Sequence, residues 1–161
     1  MNLKIIVRSY VSSIRPRLQN ELDCFRQEST LHSAIKRATL AINSRGKKYR
    51  HQRRFEKKTL EQAKQALLAN AMEIEQSKTF DDLFRLIDKK LESIKGIGEL
   101  YIYDTALRIG AKKRLLPKKV YLHAGTRRGA QALGLDGKAS LQRPFEEDEC
   151  QTRRGRYRET Q

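Results

Sequence analysis

Residues 79–114 read TFDDLFRLIDKKLESIKGIGELYIYDTALRIGAKKR, and this stretch decides the fold class. Phe80, Leu83, Phe84, Ile87, Leu91 and Ile94 recur at helical spacing and line one face. Thr79 stands where its side-chain oxygen caps a first turn, and Asp81 and Asp82 stand where the helix dipole favours negative charge. The helix closes at Lys95-Gly96. A second helix is expected from about Leu100 to Arg114, with Leu100, Tyr103, Leu107 and Ala111 inward. Pro117 forbids its continuation.

Working outward, the same periodicity recurs. Leu31, Ala34, Ile35, Ala38 and Ile42 form a stripe behind Thr30 as N-cap, and the stripe stops near Ser44-Arg45-Gly46, with Gly46 expected as a C-terminal cap. Leu60, Ala63, Leu67, Ala71 and Ile74 form another. One or two helices are expected before residue 30, interrupted at Pro16. Val120 to Leu135 predicts a turn and a short helix ending at Gly134. There are 9 Gly and 3 Pro, and no segment alternates as a strand does. The expectation is an all-α, compact multi-helix domain over 1–135. Residues 136–161, with four acids at 146–149 and mostly arginine at 153–158, are expected to be a flexible charged tail. At 161 residues the chain is long enough to bury a core without staples.

Charge is distributed unevenly. The chain carries 35 Lys and Arg against 19 Asp and Glu, a net charge of +16. Residues 36–58 hold 10 basic and 1 acidic side chain, and residues 96–135 hold 8 and 2, so these two segments carry +15 of the total. A polyanionic partner is the leading expectation, and a solvated basic loop is the bland alternative for 36–58. No apolar run approaches the roughly 18 residues of a membrane span. The Ile5-Ile6-Val7 run is too short for a signal-peptide core. Cys24 and Cys150 read as free thiols in a reducing cytoplasm.

Ile94-Lys95-Gly96-Ile97-Gly98 carries the chemical meaning. Two glycines permit a tight turn and let a phosphate approach the main chain, and the amides of the following helix face an anion favourably. Ile97 is expected as the plug between the two helices. Such a turn grips backbone phosphate and reads no base. The alternative is a plain helix–helix turn, and Glu99, directly after it, would repel a phosphate. The candidate binding residues are Gly96, Ile97 and Gly98 in the turn. Lys47, Lys48, Arg50, Arg53 and Arg54 join them from the basic loop, and Lys112, Lys113, Arg127 and Arg128 from the second basic segment.

IKGIGELYIYDTALRIGA, residues 94–111, resembles the hairpin of the helix-hairpin-helix DNA glycosylase superfamily. Val120-Tyr121-Leu122-His123 stands where that superfamily carries a Val-Asp-Thr-His type motif, followed here by Thr126-Arg127-Arg128 and Leu133-Gly134-Leu135. The resemblance covers about 94–135 and implies a helical domain that binds double-stranded DNA. It also places Tyr121 at the position of the catalytic Asp and Leu100 at that of the lyase-type Lys. Neither side chain can do that work, so no catalytic residue is assigned.

Asp104 is read as a partner of Arg108 at i+4 and His123 as structural. Two cysteines and three scattered histidines supply neither an iron–sulfur nor a zinc ligand set, so no cofactor is expected. Gly125-Thr126-Arg127-Arg128-Gly129 reads either as an anion site or as a basic turn. The expected function is non-catalytic, largely sequence-independent DNA binding. The alternatives are a divergent glycosylase or nuclease acting through Asp104 or His123, and an RNA- or ribosome-associated protein using the same basic faces.

Overall fold

A computed structural model of the chain describes residues 3–121, 123–132 and 134. The chain divides into two units, Met1–Pro117 and Lys118–Gln161. Where the sequence suggests one helical domain over 1–135, the division falls at Pro117. There Arg114 has ended the preceding helix in a left-handed conformation, φ 59°, and the chain runs on without helical periodicity. The fold is all-α, and among the described residues the only β pairing is an isolated bridge between Ile42 and Lys48.

The first unit begins with α1 (Leu3–Ser9), a π turn (Tyr10–Ile14) and α2 (Arg15–Arg26). These abut without a gap, so Pro16 does not interrupt the run as expected. It follows a π turn in which Arg15 N donates back to Tyr10 O, and that wider turn accommodates the ring without breaking the run. α3 (Leu31–Thr39) starts on a reciprocal cap: Thr30 Oγ1 accepts from Ser33 N at 3.0 Å, and Ser33 Oγ accepts from Thr30 N at 3.2 Å. It ends at Thr39, short of Gly46, because Ala41 turns left-handed at φ 56°. The stripe from Leu60 to Ile74 is two helices, α4 (Lys57–Ala69) and α5 (Ala71–Gln76). Asn70 breaks it, donating from Nδ2 to Ala66 O at 2.7 Å.

α6 (Phe80–Leu91) and α7 (Glu99–Lys113) flank the glycine turn at 94–98. Thr79 Oγ1 caps α6 by accepting from Asp82 N at 3.1 Å. The start of α6 packs on the end of α7: an added methyl at Gly110 would lie 3.2 Å from the Phe80 ring and 2.5 Å from Leu115 O. The two helices are therefore antiparallel, and Gly110 sets how closely they approach.

α7 is the centre of the first unit, packed by α2, α3 and α6. That corrects the expected inward face. Ala111 is buried as expected, but Leu100 is 41% exposed, Tyr103 and Leu107 are half-buried, and Tyr101, Ile102, Thr105, Ala106, Arg108, Ile109 and Gly110 are buried instead. A helix covered on several sides has no single stripe to read. Tyr101 donates its hydroxyl to Thr39 O at 2.6 Å, tying α7 to the end of α3, and burial pushes that phenol far above its ordinary pKa.

In the second unit, α8 (Ala124–Ala132) is the described helix, and Gly134 follows it at φ 73°. The expected tail over 136–161, and Leu122, Leu133 and Leu135 of the glycosylase-like match, lie outside the described residues.

Candidate nucleic-acid interface

The basic stretch after α3 is an ordered turn. Asn43 N donates to Lys47 O at 2.8 Å and Tyr49 N to Ala41 O at 2.9 Å, which makes a short hairpin around Gly46. Asn43 Oδ1 accepts from the amides of Arg45 and Lys47 at 2.9 and 3.0 Å. Gly46, at φ 71°, is the left-handed residue of this turn rather than a helix cap. A single 3₁₀ turn, Arg50–Gln52, leads on to α4.

Side chains of the turn lock it to three helices. Glu21 on α2 accepts from Ser44 N at 3.0 Å, Ser44 Oγ at 2.6 Å and Tyr49 Oη at 3.1 Å. Burial alone would raise this carboxyl, but those bonds and the Arg37 charge hold it below its ordinary range. Arg37 on α3 donates to Asn43 O at 2.7 Å and pairs with Glu28 at 2.7 Å. Arg108 on α7, only 5% exposed, stacks its guanidinium 3.9 Å from the Tyr49 ring centroid.

Arg108 also donates to Gln52 Oε1 at 3.0 Å and to Asp104 Oδ2 at 3.3 Å. Asp104 gathers Gln52 Nε2 at 2.9 Å and His51 Nε2 at 2.8 Å. The expected pairing of Asp104 with Arg108 is present, as part of this larger network. Burial, partly opposed by the Arg108 charge, pushes the Tyr49 phenol up to about 12, so it stays protonated and donates to Glu21.

With Ser44, Tyr49, His51 and Gln52 bonded to the helices, the cations are left outside. Arg45, Lys47, Arg50, Arg53, Arg54, Lys57 and Lys58 are exposed, and none makes an ion pair among the described residues. Lys48 is different: it is half-buried and donates to Phe55 O at 3.4 Å. Lys112 and Lys113 also face inward duties. Lys112 donates to the main-chain oxygens of Arg26 and Glu28 after α2, and Lys113 to Glu75 O at 2.6 Å near the end of α5. Cations there complement the negative ends of those helices.

The turn between α6 and α7 carries charges of both signs. Gly96 adopts φ 91°, which only glycine takes easily, but Gly98 is extended at φ −122° and is the N-cap of α7. Gly98 therefore does not need to be glycine for its backbone, and a methyl there would meet nothing within 4 Å. Ile97 is half-buried rather than a fully enclosed plug. Burial together with the charges of Glu92 and Glu99 raises the Asp88 carboxyl above its ordinary range. Lys95 and Gly96 join Arg54, Lys58, Phe55, Glu56, Thr59 and Gln62 around a cleft of about 590 Å³. The end of the basic stretch, where it enters α4, and the glycine turn, about forty residues apart in sequence, therefore share one cleft.

Arg127 and Arg128 sit on α8 in the second unit. The 125–129 stretch is helical, and Thr126 Oγ1 accepts from His123 N at 2.8 Å as the helix begins. The Tyr121 carbonyl accepts from the same hydroxyl at 3.1 Å. Among the described residues no three His, Cys, Asp or Glu side chains cluster to hold a metal, and no helix is long and apolar enough to cross a membrane. Compared with known proteins, the chain matches no family model, no curated protein and no solved structure.

Proposed function

We propose that this chain binds double-stranded DNA through its phosphate backbone, without reading sequence and without chemistry on the DNA. The observation that carries the reading is the shared cleft: Arg54 and Lys58 from one element face Lys95 and Gly96 from another. Five further cations, Arg45, Lys47, Arg50, Arg53 and Lys57, are exposed without an ion pair among the described residues, and the turn that carries most of them is held by Glu21, Asp104 and Arg108. A backbone held before contact loses little freedom on binding, and backbone phosphates are the ligand that a run of cations suits. In this reading α6, its turn and α7 act as a helix-hairpin-helix. The phosphate is taken where Lys95 and Gly96 meet Arg54 and Lys58. Tyr121 and Leu100, at the positions where the resemblance puts glycosylase chemistry, leave binding as the function.

The test is equilibrium binding of random-sequence duplex DNA by the parent and by an Arg50→Ala, Arg53→Ala, Arg54→Ala, Lys58→Ala variant at one salt concentration. Each phosphate contact carries about 1 kcal/mol of an affinity that is mostly counterion release, so the variant should bind on the order of a hundredfold or more weaker. All sequences should weaken alike. Equal binding by parent and variant removes the cleft from the account. Tighter binding of duplex RNA than of DNA would move the function to the RNA alternative.

A further inference from the structure

We propose that the helical run Leu3–Leu18 is a membrane-surface arm that lies in the headgroup region of an anionic bilayer. The run is strongly exposed. From Lys4 to Asn20 every residue but Arg15 is exposed, whereas Phe25 on the same run is fully buried. The exposed side chains are large and apolar: Ile5 at 64%, Ile6 at 44%, Val7 at 55%, Tyr10 at 44%, Val11 at 47%, Ile14 at 50% and Leu18 at 50%. Scattered single apolar residues need no explanation, but a continuous run of them does.

Their arrangement is ordered. Ile6, Tyr10, Ile14 and Leu18 are each four residues apart. On an ordinary α-helix such a row drifts by about 40° per step, at 3.6 residues per turn. The π turn over Tyr10–Ile14 is wider and turns less per residue, which offsets part of the drift and keeps the row on one side, with Val7 and Val11 beside it. The run from Leu3 to Leu18 is about 24 Å long at 1.5 Å per residue.

Charge selects the occupant. Arg8, Arg15 and Arg17 lie on the run, and the first acid in the sequence is Glu21. A second copy of the arm would bring three more such cations against these three, in either orientation. Nucleic acid would satisfy the cations and leave the apolar row in water. An anionic lipid surface takes both: acyl chains accept the aliphatic row, while headgroup phosphates accept the Arg heads at the flanks. The cleft and the arm are separate surfaces, so this inference does not rest on DNA binding.

The chain contains no tryptophan, so Tyr10→Trp makes a single reporter at the centre of the row. The full-length Tyr10→Trp protein is titrated with vesicles of phosphatidylglycerol, with vesicles of phosphatidylcholine, and with vesicles whose acyl chains carry bromine. The expected result is a blue-shifted emission with phosphatidylglycerol, quenched by brominated chains, and little change with phosphatidylcholine. Adding Val11→Ser, Ile14→Ser and Leu18→Ser, all at exposed sites, should weaken vesicle binding by on the order of a hundredfold and leave duplex DNA affinity unchanged. The basic cleft also attracts anionic vesicles, but that attraction neither shifts residue 10 nor senses the serines. An unshifted emission, or equal vesicle binding by the serine variant, overturns the proposal. So does a blue shift that grows with protein concentration in the absence of lipid, which would assign the row to a second copy.

Discussion

Arg108→Leu is the perturbation that most directly probes how the basic turn is held. The side chain is nearly sealed from water and serves three groups at once: Gln52 Oε1 at 3.0 Å, Asp104 Oδ2 at 3.3 Å and the Tyr49 ring face. Leucine keeps much of the apolar stem and removes all three contacts. Breaking a buried pair costs roughly 3–5 kcal/mol because the partner is left stranded. Asp104 still accepts from His51 and Gln52, so the lower end applies, about 3 kcal/mol. For a unit of this size that lowers the melting temperature by roughly 10 °C. The loss is expected to be local as well as global, with amides over 43–54 exchanging with solvent faster than those of α6. Duplex DNA affinity should fall about tenfold although Arg108 is buried away from any ligand, since the cations must then be ordered on binding. Thermal melting by circular dichroism, amide exchange and a binding isotherm on the same preparation decide it. A melting point within about 2 °C of the parent, with unchanged exchange over 43–54, refutes the claim that this network holds the turn.

Other expectations follow from single residues. Gly110→Ala should cost about 2–3 kcal/mol in a urea titration, because its methyl would lie 2.5 Å from Leu115 O and 3.2 Å from the Phe80 ring. The Glu21 carboxyl is depressed below its ordinary 4.5, so its contribution to stability is complete above that pH and is lost as pH falls through the lower folded-state value. Glu21→Gln should therefore flatten the acid side of a stability–pH profile taken from about pH 5 to about pH 2 and leave its neutral side parallel to the parent's. Glu99→Lys should tighten DNA binding and bring the Asp88 carboxyl back toward its ordinary pKa, read by NMR titration, since it removes one of the two charges that raise it.

The helices were legible wherever the buried residues keep to one face. Thr30 and Thr79 announce α3 and α6 because caps are local chemistry, and the row from Phe80 to Leu91 announces burial because α6 has a single buried side. α7 defeats the same reasoning, since three helices cover it and its buried set includes Thr105, Arg108 and Gly110. Asn70 hides a helix break inside a stripe whose period continues across it. The basic stretch 46–54 has no periodicity and reads as a loop. Its order comes from Glu21, Asp104 and Arg108, partners remote in sequence, and only the i+4 spacing of the last two is visible in the sequence. The cleft was legible as two separate motifs, and nothing local in either announced that they share one cavity.

The central claim, that exposed cations around this cleft neutralise a DNA backbone, is tested most directly by the salt dependence of duplex binding. Seven exposed cations on the turn and the start of α4, of which about six reach phosphates, predict a slope of log K against log salt near −5. The slope should be the same for unrelated duplex sequences. A slope near zero, or one that differs sharply between sequences, contradicts the account.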